Sequence, residues 1–136
     1  MTIANTVILS PNYPNIYPSG LDCRLNIAFE RNKQIQLEFK IFEVFTDDQD
    51  NEAVNQNADH SNGTNRCAHS DYIEVIDNNG NGTSERVFRF CGSIIPRPIV
   101  SQGHSMELRF QTNSNRSRSE TGTGKHFKLV AKVGTY

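Results

Sequence analysis

Apolar and polar residues alternate with a period of two along most of the chain. Because a β-strand points successive side chains to opposite faces, this pattern predicts strands with one buried face. No stretch of ten residues shows the 3.6-residue period of an amphipathic helix. The sequence therefore predicts an all-β fold, with the clearest strands at 25–29, 35–41, 73–75, 87–90, 106–110 and 127–133.

The alternation changes phase near the end of the second of these strands. Apolar positions run from Ile35 to Ile41 in one phase, and Phe42 and Val44 continue the series one residue late. One extra residue in a strand moves the following side chains to the other face of the sheet. We therefore expect a bulge or bend after Ile41.

Turn signals separate the predicted strands. The segment Asn78–Gly82 contains two Asn-Gly pairs, which favour a tight hairpin because both residues accept positive φ. Pro96-Arg97-Pro98 interrupts the chain before Ile99. Short alternating strands with regular turns predict a two-sheet antiparallel β-sandwich.

The three cysteines are Cys23, Cys67 and Cys91. Cys67 stands just before one predicted strand and Cys91 ends the next, so a hairpin between them brings the two together. A Cys67–Cys91 bridge closes a loop of about 25 residues, worth about 3 kcal/mol in the chain-entropy model. Cys23 then either pairs with a cysteine upstream of Met1 or remains a free thiol.

The bulk properties indicate one domain over residues 1–136 and exclude some functions. There are 14 basic and 15 acidic side chains, a balance that argues against nucleic-acid binding. No run approaches the roughly 18 apolar residues of a spanning helix, so we expect no membrane insertion. Residues 46–66 are almost free of apolar side chains, and we interpret them as a long polar insertion.

Three N-x-S/T triplets point to an extracellular location. They lie in polar, turn-like surroundings where a glycan is tolerated, and they start at Asn62, Asn81 and Asn115. Residues 1–4 lack the basic and apolar regions of a signal peptide. We therefore expect a piece of a longer secreted or membrane-anchored glycoprotein.

Catalytic chemistry is absent from the sequence pattern. None of the four histidines stands at metal-ligand spacing from another histidine or a cysteine. No nucleophile is accompanied by a recognisable base, so we expect no enzyme activity. The acidic run at 48–52 begins like an EF-hand loop, but Ala53 and Asp59 occupy the positions that need Gly and Glu.

In order along the chain, these features resemble a CUB domain. The residues that carry the resemblance are SPNYPNIYP at 10–18, Cys23-x-Leu25-x-Ile27, Ile35-x-Leu37-x-Phe39-x-x-Phe42, Cys67 before Asp71-Tyr72-x-Glu74-Val75, Cys91-Gly92, Leu108-x-Phe110 and 127–133. The resemblance implies an extracellular jelly-roll-like sandwich that binds proteins and is not catalytic. It also implies that the proline-rich opening holds the entry to the next strand rigid.

The resemblance further implies a calcium site at one end of the sandwich. Asp71 matches its first aspartate and Tyr17 its supporting tyrosine. Asn113 stands at the late aspartate position, and the glutamate position falls on Phe45, with Glu43 two residues earlier. Calcium prefers six to eight oxygen ligands including several carboxylates, so these replacements predict a weakened site. Carboxylates of the polar insertion would have to compensate, the candidates being Asp47 and Asp48.

Three functional hypotheses follow. The first is a non-catalytic recognition module that holds an extracellular protein, or neighbouring domains of its own chain, with calcium assisting. The second is a lectin-like sandwich that binds glycans or polyanions through the later arginines. The third is an accessory domain of a secreted protease whose catalytic domain lies elsewhere.

Overall fold

The computed structural model describes residues 6–46, 67–68, 70–78, 85–112 and 125–133. Within these ranges the chain forms eight β-strands and no helix. The strands are β1 (Thr6–Leu9), β2 (Asp22–Ala28), β3 (Ile35–Glu43), β4 (Tyr72–Asn78), β5 (Glu85–Phe90), β6 (Ile99–Val100), β7 (Ser105–Gln111) and β8 (His126–Val133).

The eight strands form two four-stranded antiparallel sheets. One sheet has the order β1-β8-β3-β6, and the other has the order β2-β7-β4-β5. Strands β4 and β5 pair directly from Ile73–Phe90 to Asn78–Glu85, as expected for a hairpin. The predicted two-sheet β-sandwich is confirmed.

The core lies between the sheets and is built from the alternating apolar positions. Strands β3, β7 and β8 each bury every second side chain over most of their length. Aromatic rings cross this core in edge-to-face contacts, a geometry that aromatic pairs favour. These contacts include Phe39 with Phe90 and Phe110 with Phe127.

The predicted change of phase in β3 is present, but it falls earlier than expected. The β3–β8 register shifts between Phe39 and Ile41, so Lys40 is the extra residue. Ile41 therefore lies opposite Lys128 and leaves the buried series, which Phe42 resumes. A bulge makes two residues oppose one, and only the partner strand shows which residue is extra.

The opening segment is held in place by local turns and by strand β8. Asn12 has a positive φ of 68°, which asparagine tolerates better than most residues, and the Tyr13–Pro14 peptide is cis. Ser10 is buried; its backbone N donates to the carbonyl of Phe127, and its Oγ accepts from Phe127 N. These contacts lead the chain from β1 towards β2.

Several sequence predictions lie outside the described residues. They are the insertion beyond Thr46, the Asn-Gly turn beyond Asn78, the metal candidates Asp47 and Asn113, and the three glycosylation sites Asn62, Asn81 and Asn115. No helix in the described ranges is long and apolar enough to cross a membrane.

Candidate functional site

The predicted disulfide is formed at one end of the sandwich. Cys67 and Cys91 are bridged, with their Cα atoms 6.1 Å apart, and both are almost fully buried. Cys67 adopts a left-handed conformation with a φ of 56°, unusual for a residue with a Cβ atom. The disulfide and the hydrogen bond from Ser70 N to Cys67 O together hold Cys67 in this conformation. The chain is thereby fixed immediately before β4.

Asp71 follows this turn and is completely buried. The Tyr17 hydroxyl donates a 2.9 Å hydrogen bond to its Oδ2. The same hydroxyl oxygen accepts a 2.8 Å hydrogen bond from the backbone N of Phe45, just beyond β3. A single phenol therefore joins the opening segment, the end of β3 and the start of β4.

Tyr17 is itself immobilised by packing. Its backbone N donates to the carbonyl of Lys125, which precedes β8, and its ring meets the edge of Phe110 at 4.8 Å between centroids. Only 1% of the residue is exposed. A buried tyrosine held in this way can orient a carboxylate without reordering when a ligand binds.

The end of β7 reaches the same region. The β4–β7 register pairs Tyr72 with Gln111, so Asp71 and Thr112 continue the two strands side by side. Thr112 is buried; its Oγ1 accepts from Leu21 N at 2.7 Å and lies 3.2 Å from the carbonyl of Pro18. Sequence reasoning did not single out Thr112, because a threonine in an alternating strand carries no signal of such a contact.

The predicted site residues are therefore only partly brought together. The structure joins Tyr17 to Asp71, and it places Glu43 opposite His126 in the β3–β8 ladder, between the buried Phe42 and Val44. Glu43 alternates to the other face of that sheet, and its role as a ligand stays a prediction. In the described ranges no three side chains of His, Cys, Asp or Glu form a metal-binding cluster.

Asp71 and Tyr17 have donor chemistry that suits part of a calcium site. A buried carboxylate held by a hydroxyl at a loop-bearing end is the right donor chemistry for calcium. Asp71 alone cannot provide the six to eight oxygens that calcium prefers, so a calcium ion here would need further ligands. Asp71 and Tyr17 therefore fit a calcium ion chemically.

A second buried carboxylate, Asp77, lies at the other end of β4. It accepts from Arg86 Nε at 3.1 Å and from the backbone N of Gln102 at 3.1 and 3.2 Å. Gln102 Nε2 also donates to the Asp77 carbonyl, and Arg86 donates to the carbonyl of Val100. These contacts, which we call the Asp77 clasp, tie β4 and β5 to the segment after β6 in the opposite sheet.

Three of the later arginines invoked by the polyanion hypothesis are engaged within the domain, while Arg116 and Arg118 lie outside the described residues. Arg86 pairs with Asp77, Arg89 lies 2.9 Å from Glu74, and Arg109 lies 3.3 Å from Asp22. Only 13% of the Arg89 side chain is exposed, and its guanidinium stacks 4.0 Å above the Tyr72 ring. Paired guanidinium groups offer little attraction to a polyanion, so these three arginines give that hypothesis no support.

The comparisons with known proteins agree with this architecture. The model of the CUB domain family matches residues 1–122, and the chain belongs to that family. CUB domains are non-catalytic interaction modules of extracellular proteins, separate from the catalytic domains of the proteases that contain them. The resemblance read from the sequence is confirmed.

Among relatives, the chain is 31% identical to cubilin of Rattus norvegicus over 116 residues, which are 84% of this chain and 3% of that protein. It is 30% identical to tolloid-like protein 2 of Mus musculus, over 85% of this chain and 10% of that protein. It therefore spans a small fraction of these relatives. A solved structure, the MASP-1 CUB2 domain bound to Ca²⁺, superposes with a TM-score of 0.64 at 26% identity, over 93% of this chain and 90% of that one.

Proposed function

We propose that this domain is a non-catalytic recognition module that binds an extracellular protein, or a neighbouring domain of its own chain, at the end of the sandwich around Tyr17 and Asp71. The observation that carries the proposal is the buried Asp71 carboxylate, held by Tyr17 between the ends of two strands. A carboxylate fixed beside surface loops is suited to recognise a cation, whether a metal ion or a basic side chain.

We further propose that calcium assists this recognition. Asp71 would be a carboxylate ligand and Tyr17 would orient it, with other oxygens from the segments that follow Thr46 and Thr112. The bound ion would link these segments at the surface that meets the partner. The proposal is supported by the calcium-bound MASP-1 CUB2 domain, which is similar in fold and sequence.

Calorimetric titration of calcium into the metal-stripped domain tests the metal part. We expect a binding heat and a higher melting temperature with calcium, because a ligand that binds only the folded state stabilises it. Asp71→Asn keeps the shape and an acceptor for Tyr17 but removes the charge, so the heat should be lost. Glu30→Gln, in an exposed loop, is the matched control and should retain it. Equal heats for Asp71→Asn and the unchanged domain would remove Asp71 from the site.

Capture experiments test the recognition part separately. The immobilised domain is exposed to the extracellular protein fraction of its source with calcium or with chelator, and bound proteins are identified by mass spectrometry. We expect a defined partner that is lost with Asp71→Asn and retained with Glu30→Gln. Capture that is identical for all three proteins would place recognition elsewhere on the domain.

We also infer that residues 1–136 form one domain that includes the polar insertion at about 46–66. The family match over residues 1–122 and the single core support this inference. A single cooperative unfolding transition, seen together by fluorescence and circular dichroism, is the expected result. Two separate transitions would contradict it.

A further inference from the structure

Two adjacent isoleucines, Ile94 and Ile95, are exposed in the segment that connects β5 to β6. They retain 46% and 52% of their accessible surface. A single exposed apolar residue needs no explanation, but neighbouring ones at one place suggest a surface that contacts a partner. The structure around these two residues shows where such a partner would lie and what chemistry it needs.

The segment that displays the isoleucines is anchored at both ends. Gly92 and Val44 exchange two backbone hydrogen bonds, of 2.9 and 3.0 Å, and Ile99 pairs with Leu37 on the same strand β3. Cys91, next to Gly92, is held by the disulfide. A surface that is fixed before a partner arrives loses little conformational entropy on binding.

Two prolines prevent this segment from acting as an open edge strand. Pro96 and Pro98 have no N–H group, so neither can donate a hydrogen bond to an added strand. Pro96 is also buried, which fixes the chain directly after Ile95. A partner therefore meets the side chains of Ile94 and Ile95 and not a row of free backbone groups.

The isoleucines lie at the same end of the sandwich as the candidate site. Val44, which pairs with Gly92, precedes Phe45, and Phe45 N donates to the hydroxyl that holds Asp71. Ile95 is three residues from Gly92, hence within about 10 Å of it at about 3.3 Å per residue. One side of a standard interface covers about 800 Å², a disc of roughly 16 Å radius. A single interface of that size can span both Asp71 and the isoleucines.

The rest of this chain offers little that could cover the isoleucines. The long internal segments outside the described residues, 47–66, 79–84 and 113–124, contain Val54 as their only large apolar side chain. Their other residues are mostly Asn, Asp, Ser, Thr and Gly, which bury no apolar surface against isoleucine. The composition therefore favours another protein as the occupant of this surface.

We propose that Ile94 and Ile95 form an apolar subsite beside Asp71, and that the partner is a protein presenting an aliphatic or aromatic side chain close to a lysine or arginine. This inference rests on the proposed recognition function, because Asp71 supplies the contact for the basic side chain. Burial of apolar surface provides affinity, and the charged contact provides orientation and specificity.

The first test selects phage-displayed random peptides on the immobilised domain in calcium buffer. We expect enriched peptides that contain both a basic and a large apolar residue. Ile94→Ser/Ile95→Ser should lose the apolar preference and keep the basic one, whereas Asp71→Asn should do the reverse. Val100→Ser is the matched control, since Val100 is 41% exposed on β6, and it should keep both preferences.

The outcomes separate this inference from the proposed function. Enrichment of basic residues alone would overturn the apolar subsite and leave the role of Asp71 standing. Enrichment of apolar residues alone would overturn the role of Asp71 and leave the subsite standing. The absence of any enriched peptide would overturn both.

The second test measures the affinity of one enriched peptide by fluorescence anisotropy. Ile94→Ser/Ile95→Ser should weaken binding about tenfold or more, because two half-exposed apolar side chains lose their contact. Val100→Ser should change it less than about twofold, and both variants should keep the calcium heat of the unchanged domain. Thermal melting checks folding, and Ile94→Thr/Ile95→Thr, which keeps the branched shape, replaces the serine variant if that one is unfolded. Equal affinities for the isoleucine variant and the Val100→Ser control would overturn the proposal.

Discussion

Two fully buried aspartates lie at opposite ends of β4: Asp71 just before its first residue and Asp77 near its last. Their hydrogen-bond partners differ. Asp77 is matched by the Arg86 guanidinium and the backbone N of Gln102. Asp71 accepts a hydrogen bond from the neutral hydroxyl of Tyr17. Burial by itself therefore does not distinguish the two carboxylates, whereas the ion pair with Arg86 marks Asp77 as part of a contact within the fold.

The two environments suggest different tasks. A carboxylate paired with an arginine has its charge compensated within the fold, and its contacts tie the two sheets together. A carboxylate oriented by a phenol next to the ends of β3 and β7 has the donor chemistry to bind a cation. We therefore expect changes at Asp77 to act on stability and changes at Asp71 to act on binding.

The largest effect on stability is expected at the Asp77 clasp. Asp77→Ala removes the acceptor for Arg86 and Gln102, and losing one partner of a buried charge pair costs about 3 kcal/mol or more. Chemical denaturation should show this loss, while the folded variant keeps the calcium heat of the unchanged domain. Asp71→Asn, as the matched variant, should cost no more than about 1 kcal/mol, because the amide oxygen still accepts from Tyr17. A larger loss of unfolding free energy for Asp71→Asn than for Asp77→Ala would contradict the assignment of Asp77 to stability and Asp71 to binding.

An intermediate effect is expected from Tyr17→Phe. The change removes the hydroxyl that donates to Asp71 and accepts from Phe45 N, leaving two groups without that partner. The free energy of unfolding should fall by about 2 kcal/mol, and calcium affinity should weaken because Asp71 is no longer oriented. Tyr72→Phe is the control, since its hydroxyl contacts Gln111 on the outer side of the sheet. Equal calcium affinities for Tyr17→Phe and the control would show that the Tyr17 hydroxyl does not contribute to calcium binding.

The smallest effect is expected at Glu38, a solvent-facing carboxylate. Hydrogen bonds from Lys40 and Lys132 hold the pKa of Glu38 below its ordinary value of 4.5. A lowered folded-state pKa means that the stabilisation is present above the ordinary value and is lost as pH falls through the folded value. Glu38→Gln should therefore slightly reduce the difference in the free energy of unfolding between neutral and acid pH. Added salt should make this effect of the substitution smaller. An unchanged pH profile would show that these contacts contribute nothing to folding.

Prediction from sequence succeeded where the signal was local. The alternation of apolar residues located six of the eight described strands, and the hairpin between Cys67 and Cys91 indicated their bridge, because both depend on neighbours in the chain. The short strands β1 and β6 were not predicted. The bulge was placed after Ile41 although Lys40 is the extra residue. Its position depends on the register with β8, whose residues lie more than 80 positions away.

The candidate site was only partly predictable for the same reason. Tyr17 and Asp71 were matched to the family pattern, but their hydrogen bond joins residues 54 positions apart. The Asp77 clasp carried no local signal, because Asp77, Arg86 and Gln102 read in sequence as ordinary surface residues. Leu25, an apolar position in an alternating strand, is exposed because β2 is an edge.

The amino-acid sequence alone determined the six longer strands, the disulfide between Cys67 and Cys91 and membership of the CUB family, because side-chain periodicity and motif order are properties of the chain itself. The tertiary structure decided which strands lie at the edges, which residue forms the bulge and that Asp77 pairs with Arg86. These features depend on how distant segments meet, and the pattern of one strand does not contain the register of another.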